Sequence, residues 1–265
     1  GLVGSEMCIR DSIDGTIWDD DMVIPESTLE AVAALKANGH LAFICTGRAR
    51  ASVRSEKLLN IGFDGIIAAC GNYIEMDGKV IYENNLSADM VQKVIRVLSE
   101  CKMPVVLEGS TDYWIDDEGF EDDPYVDYLF ESLGEHAHII RGYDGEIRIN
   151  KFSADVIDGT DYERVKAEFA DDFLILEHVE NVVEFVPKGT SKATGIKWLC
   201  NHLDIPLDET YAIGDSVNDL EMLESVGHGI AMGNSMPPVK EIAEYVTSDI
   251  SDDGVKNALK HYGLI

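Results

Sequence analysis

The chain has 265 residues, 45% of them hydrophobic, enough for one large domain or two moderate ones. Fifty acidic residues against 21 basic ones give a net charge of −29, which repels nucleic acid and anionic membrane and excludes both as main partners. No run of about 18 apolar residues is available to span a bilayer, and the five widely spaced cysteines contain no CxxC pair, so neither a disulfide framework nor a zinc site is indicated. No charged-then-apolar leader opens the chain, and the expectation is a cytoplasmic protein, a monomer or weak homodimer. The same charge repels phosphorylated molecules at long range, so a phosphate site here must make its own positive field from a metal, a lysine or backbone amides.

Residues 1–11, GLVGSEMCIRD, do not read as the start of a fold. The loop after them should follow a buried strand, yet only Met7, Cys8 and Ile9 are apolar, with Glu6, Arg10 and Asp11 around them. GSEMCIRDS also resembles a translated sequencing-adapter stretch that recurs at the ends of fragmentary predicted proteins, and the expectation is that authentic sequence resumes near Ser12. Ser27 is placed to cap a helix to about Asn38, with Leu29, Val32, Ala33 and Leu35 on one face and Gly39 as its stop. A strand follows at 40–45, a helix from Arg48 to about Leu59, and a buried strand at 65–69. Repeated β-α-β with short loops predicts a parallel sheet with right-handed crossovers.

Residues 74–82 form a hairpin around Asp77-Gly78, and then the pattern changes. An amphipathic helix at 86–102 is followed by strands at 104–107 and 113–115, an acidic loop at 116–123 and a helix at 124–133. A strand lies within 147–157, a helix at 161–170, and a strand pair at 173–177 and 182–186. This middle block mixes hairpins and helices as an α+β domain does. The α/β pattern resumes with a loop opening a helix to about Leu203, strands at 211–213, 229–232 and 245–247, and helices at 219–226, 239–244 and 254–261. The fold class is therefore α/β: a parallel-sheet core with an inserted α+β domain.

Four short stretches sit where a strand gives way to a loop or helix: SIDGT at 12–16, CTGR at 45–48, GTSK at 189–192 and GDSVND at 214–219. Ligands bind at the carboxyl edge of such sheets. Asp215 and Asp219 crowd together with Asn218 nearby, and a hard cation such as Mg²⁺ relieves their repulsion; an Asp-rich turn capping a helix is the alternative. The Thr46 hydroxyl and Gly47 amide can cradle a phosphate, or cap a helix. Lys192 is a point charge suited to phosphoryl oxygens, or a solvated surface lysine. Asp14-Gly15 is also a common turn. The ordered set forms a kit for phosphoryl transfer.

Taken together, the four stretches resemble the motifs of the haloacid dehalogenase superfamily, and within it the Cof-type phosphatases (type IIB, C2 cap). The first motif, Asp-x-Asp-Gly-Thr, matches SIDGT in all but its first position. The second matches FICTGR at 43–48, the third Lys192 in PKGTSK, and the fourth GDSVND in full. Gly233-Asn234-Ser235 and Asp253-Gly254 also resemble family positions, so the match spans 12–265. Thirty positions from Thr16 to Thr46 leave no room for a cap, whereas 146 positions from Thr46 to Lys192 do. The expected division is a core at 1–82 and 185–265, and a cap at 83–184.

The resemblance implies a Mg²⁺-dependent phosphatase acting on small phosphorylated metabolites. Asp14 becomes the general acid and then the base, its carbonyl joining Asp215 and Asp219 as metal ligands, with Asp219 a ligand or a support. Thr46, Gly47, Lys192 and Asn218 hold the phosphate or position its neighbours. The nucleophile, which forms an aspartyl-phosphate, falls at Ser12. Asp11 is a poor substitute because side chains alternate along a strand, so the chain as it stands is expected to be nearly inactive. Two further readings remain: a phosphate-binding or regulatory protein without turnover, and a phosphomutase of the same superfamily. In the cap, Tyr113, Trp114, Tyr125 and Tyr128 are candidates to face the site, though filling the cap core is the preferred reading, and His136 and His138 form an HxH that reads as a loop or strand edge before a metal site.

Overall fold

The computed structural model describes residues 7–11, 13–19, 21–120, 123–178 and 181–265, with 7–11, 13 and 14 as backbone. They form two compact units. One comprises the described residues within 1–47, 54–82 and 191–265; the other comprises those within 48–53 and 83–190. Residues 48–53 and 185–190 therefore group with the inserted unit, not with the core to which the sequence reading gave them. Among the described helices none is long and apolar enough to cross a membrane.

The first unit is built on a sheet of eight strands among the described residues. They are β1 (Met7–Asp11), β2 (Leu41–Cys45), β3 (Gly65–Ala68), β4 (Tyr73–Met76), β5 (Lys79–Glu83), β12 (Thr210–Gly214), β13 (His228–Ala231) and β14 (Tyr245–Val246), in the order β14-β13-β12-β1-β2-β3-β4-β5. Every pairing from β14 to β3 is parallel, and β4 turns back antiparallel on β3. The β4–β5 turn has left-handed backbone at both Asp77 (φ 51°) and Gly78 (φ 69°), which matches the twist of a tight hairpin. Phe43 and Cys45 of β2 pack with Ile196 and Leu199 of α6 (Lys192–Leu203), Met222 and Leu223 of α7 (Leu220–Ser225), and Val239 of α8 (Pro237–Ile242). Ala42 and Ile44 point to the opposite face, where α1 (Glu26–Ala37) packs on β2 and against α9 (Gly254–His261). The sheet is thus covered on both faces, as its near-continuous apolar strands require.

Three expectations for the chain up to Leu59 are corrected. Residues 7–11 are a strand at the centre of the sheet, Met7 opposite both Leu41 and Thr210. Ladder bonds from two parallel neighbours define β1, so a short apolar run suffices there. Ser27 does not cap α1; the helix starts after Pro25, whose carbonyl accepts the Thr28 N–H at 2.9 Å, and the Ser27 hydroxyl is buried without a hydrogen-bond partner. No continuous helix runs from Arg48 to Leu59. The chain makes a tight turn at Arg50–Ser52, whose Ala51 N–H reaches the Gly109 carbonyl at 3.4 Å, and only then the short α2 (Glu56–Leu59).

The inserted unit contains α3 (Ala88–Glu100), β6 (Val105–Glu108), β7 (Tyr113–Ile115), α4 (Pro124–Leu133), β8 (Ala137–Ile139), β9 (Lys151–Asp155), α5 (Tyr162–Phe169), β10 (Phe173–Glu177) and β11 (Val182–Pro187). Its strands order as β10-β11-β9-β6-β7-β8. Val91, Val94 and Leu98 of α3 and Val165 and Phe169 of α5 bury one face of this sheet against Leu107, Trp114, Phe152 and Phe185. Alternation sends Glu108, Tyr113, Lys151 and Glu184 to the other face. There Lys151 Nζ binds Glu108 (3.0 Å) and Glu184 (2.7 Å), and the Tyr113 hydroxyl donates to Glu108 (3.1 Å).

Tyr113 and Trp114 are buried as expected, but Tyr125 and Tyr128 stand 57% and 55% exposed on α4, because the buried residues of that helix are Val126, Leu129 and Leu133. His136 and His138 flank and enter the edge strand β8, and both bind one oxygen of Asp112, at 3.1 and 3.0 Å.

Candidate active site

Strands β1, β2, β3, β12 and β13 are parallel, so the turns that follow them share one edge of the sheet. Gly214 closes β12, and residues 215–219 turn into α7. Asp219 is fully buried and folds back on this turn. Its Oδ2 accepts the backbone N–H groups of Asp215 (2.8 Å) and Ser216 (3.0 Å), and its Oδ1 accepts Lys192 Nζ (2.9 Å). A Cβ at position 214 would lie 2.6 Å from Asp219 Oδ2, so the fold-back requires glycine.

Lys192 opens α6 and is itself buried, at 8% exposure. Ser191 caps that helix, accepting the Thr194 N–H at 3.3 Å while Thr194 Oγ1 accepts the Ser191 N–H at 2.8 Å. The Ser191 hydroxyl also donates to Glu221 Oε1 on α7 (2.7 Å). The helix start lies directly on the turn after β3: a Cβ at Gly71 would meet the Ser191 carbonyl at 2.2 Å, and one at Gly195 would meet the Gly71 Cα at 2.8 Å. Two glycines thus fix how closely Lys192 approaches the sheet edge. An ammonium at this depth is tolerable because a carboxylate is paired with it.

Asp215 connects this turn to the helical turn at Ile13–Ile17. Its Oδ1 accepts the Thr16 hydroxyl at 2.7 Å, and its Oδ2 would be 2.4 Å from a Cβ on Gly15. Gly15 has φ +82° and donates its N–H to the Trp18 carbonyl at 2.9 Å. Asp14 lies in this turn as backbone, and Ser12 lies outside the described residues. At the end of β2, Thr46 is buried, its N–H on the Ile67 carbonyl (2.8 Å) and its own carbonyl accepting the Cys70 N–H (3.3 Å); Gly47 follows. Asn218 stands exposed beside the buried pair.

The structure thus joins Lys192 to Asp219 and Asp215 to the 13–17 turn within one unit. Asp219, expected as a metal ligand or a support, has both oxygens engaged, by Lys192 and by the backbone of its own turn. Sequence reasoning gave no role to Thr16, Ser191, Glu221, Asn234 or Ser235. The Ser235 hydroxyl donates to the Gly214 carbonyl (3.1 Å), and the Asn234 amide donates to the Gly15 carbonyl (2.8 Å). The available signal was position: Gly233-Asn234-Ser235 leaves β13 at the same sheet edge.

Among the described residues no three His, Cys, Asp or Glu side chains gather closely enough to hold a metal. The donors present nevertheless suit Mg²⁺. They are hard oxygens, and Gly15 carries no Cβ to crowd the Asp215 carboxylate, since one there would lie 2.4 Å from Oδ2. Asp215 and the Asp14 carbonyl would hold such an ion.

A family model of haloacid dehalogenase-like hydrolases matches residues 11–259. The chain is 33% identical over 270 residues to YkrA of Bacillus subtilis (strain 168), covering 96% of each. It is 29% identical over 270 residues to the 5-amino-6-(5-phospho-D-ribitylamino)uracil phosphatase YitU of the same organism, covering 94% of this chain and 95% of that one. Among solved structures, the HAD subclass IIB sugar phosphatase BT4131 is similar with a TM-score of 0.77 at 25% identity, covering 98% of this chain and 100% of that one. The parallel core, the inserted unit and these matches lead to one assignment: the chain belongs to the haloacid dehalogenase-like hydrolases and is a phosphatase of their Cof-type, subclass IIB branch.

Proposed function

We propose that the catalytic form of this protein hydrolyses sugar-like or polyol-like phosphate monoesters through an aspartyl-phosphate, with Asp at position 12 and Mg²⁺ bound. The buried Lys192–Asp219 pair, fixed to the turn that carries Asp215, supports this reading most directly. The names of YitU and BT4131, a ribityl phosphate and a sugar phosphate phosphatase, support the substrate class.

A carboxylate at position 12 attacks phosphorus while the bond to the leaving oxygen breaks, and Asp14 gives that oxygen its proton. Water then attacks the phosphorus of the acyl phosphate, Asp14 takes the water proton, and the carboxylate is released. Thr46 and the Gly47 N–H hold the phosphoryl oxygens. Lys192 carries a charge already balanced by Asp219, so it orients more than it attracts. When bound, Mg²⁺ supplies the positive field that a chain of net charge −29 otherwise lacks.

Ser12 favours a second reading for the chain as it stands: phosphate binding without turnover, since no general base is assigned to its hydroxyl. The test is Mg²⁺-dependent phosphate release from a panel of sugar and polyol phosphates, by this chain and by Ser12→Asp. The substituted chain is expected to be faster on the order of 10³-fold or more, as for loss of a nucleophile elsewhere. Equal, robust turnover by both refutes the assignment of position 12.

A further inference from the structure

Three consecutive residues after β13 each give a hydrogen bond to a carbonyl of the two turns described above. Asn234 Nδ2 donates to the Gly15 carbonyl (2.8 Å), Ser235 Oγ to the Gly214 carbonyl (3.1 Å), and the Met236 N–H to the Asp215 carbonyl (3.1 Å). The Asn234 amide is used at both ends, because its Oδ1 accepts the Ile250 N–H at 3.1 Å. That fixes its orientation: the flipped amide would set oxygen against the Gly15 carbonyl and N–H against the Ile250 N–H. One side chain therefore ties together the 13–17 turn, the end of β13 and the Ile250–Asp252 turn.

We propose that Asn234 is a positioning residue for the phosphatase reaction. It holds the Gly15 peptide so that the turn carrying Asp14 keeps its place against the carboxylate of Asp215. This rests on the function proposed above. Gly15 is the right place for such a hold. Its backbone is left-handed at φ +82°, and a Cβ on it would lie 2.4 Å from Asp215 Oδ2. Rotation of the Gly15 carbonyl would move Asp14 on one side and Thr16, the hydrogen-bond donor to Asp215, on the other. Ser235 and Met236 hold the partner turn by its backbone, so the brace sets the distance between two turns and not the position of either alone.

The test compares Asn234→Ala with Asn257→Ala. Asn257 bonds Ser248 Oγ (2.8 Å) and the Asp252 carbonyl (3.0 Å) in the same C-terminal segment but does not reach the 13–17 turn. Hydrogen exchange is measured at the Gly15 amide, which the Trp18 carbonyl protects. Exchange about tenfold faster in Asn234→Ala and unchanged in Asn257→Ala is expected. No change in Asn234→Ala, or equal acceleration in both, overturns the proposal. Kinetics in the Ser12→Asp background add a second readout. A displaced general acid costs most when the leaving oxygen is basic, so the loss of kcat should be about tenfold larger for an alkyl than for an aryl phosphate. Equal losses overturn the positioning role. If the Ser12→Asp parent releases no phosphate from any ester, the proposed function falls, while the exchange measurement still judges the brace.

Discussion

Asp219→Asn changes one oxygen to an NH₂ group and no shape, at a residue with no exposed surface. Asp219 Oδ2 receives two backbone N–H groups and Oδ1 receives an ammonium, and each of these partners is a donor. In either orientation the amide places a donor against donors: against Lys192 Nζ, or against the N–H groups of Asp215 and Ser216. Lys192, 8% exposed, also loses the carboxylate paired with it. Breaking a buried ion pair from one side costs about 3–5 kcal/mol. Against a total stability of about 5–15 kcal/mol, the variant should still fold. At about 2–4 °C per kcal/mol for a chain of this size, its melting midpoint should fall by about 10 °C. Adding Lys192→Met removes the charge that has lost this carboxylate and should recover part of the loss. Melting curves of the parent, both single variants and the double variant form the cycle. An Asp219→Asn midpoint within 2 °C of the parent, or a double variant less stable than Asp219→Asn alone, would refute the argument.

Two further outcomes concern pH and the inserted unit. Burial opposes ionisation of Glu184, but the Lys151 charge and the hydrogen bonds from His178 and Lys151 outweigh it and hold the carboxyl at about 2. With the folded value below the unfolded one, this stability is present above the unfolded pKa and is lost as pH falls through about 2. It is worth about 3 kcal/mol. Urea titrations between pH 5 and pH 2 should show that loss in the parent and a flatter acid limb in Glu184→Gln; parallel limbs would exclude it. Asp155 goes the other way, raised to about 6 by burial and then by the charge of Asp123. Its contribution is present at low pH and lost as pH rises through about 6. Asp155→Asn should therefore add about 1–2 kcal/mol at pH 7 and nothing at pH 3.5, read from the same titrations. A gain that is equal at both pH values would sink the assignment.

Local signals were read well where the physics is local. The helix at 124–133 and the hairpin at Asp77-Gly78 were both placed correctly, because a helix start or a tight turn is decided within four residues. Errors arose where distant chain decides. β1 is a strand because β2 and β12 lie on either side of it, not because MCIRD is apolar enough. Residues 48–53 bend away from helix because their backbone bonds to Gly109 in the inserted unit. The same boundary runs through the site. The GDSVND run announces a charged turn, but not that Asp219 turns inward to Lys192, 27 positions earlier. Asn234 was visible only as a member of a motif, since its partner at Gly15 lies 219 positions away.

The place of β1 has a consequence for synthesis. Met7 opposes Leu41 on one side and Thr210 on the other. As the chain leaves the ribosome, β1, β2 and β3 are made first, but the open side of β1 meets no partner until residues 210–214 emerge. Among the described residues, strands β6 to β11 pair with one another, so their sheet is complete well before that. Domains fold as units, and the inserted unit is therefore expected to fold first, while the nascent core waits with an unpaired parallel edge. Such an edge invites association with other chains. The crowded interval for this protein runs from completion of the inserted unit until residues 210–214 emerge, when a chaperone would matter most.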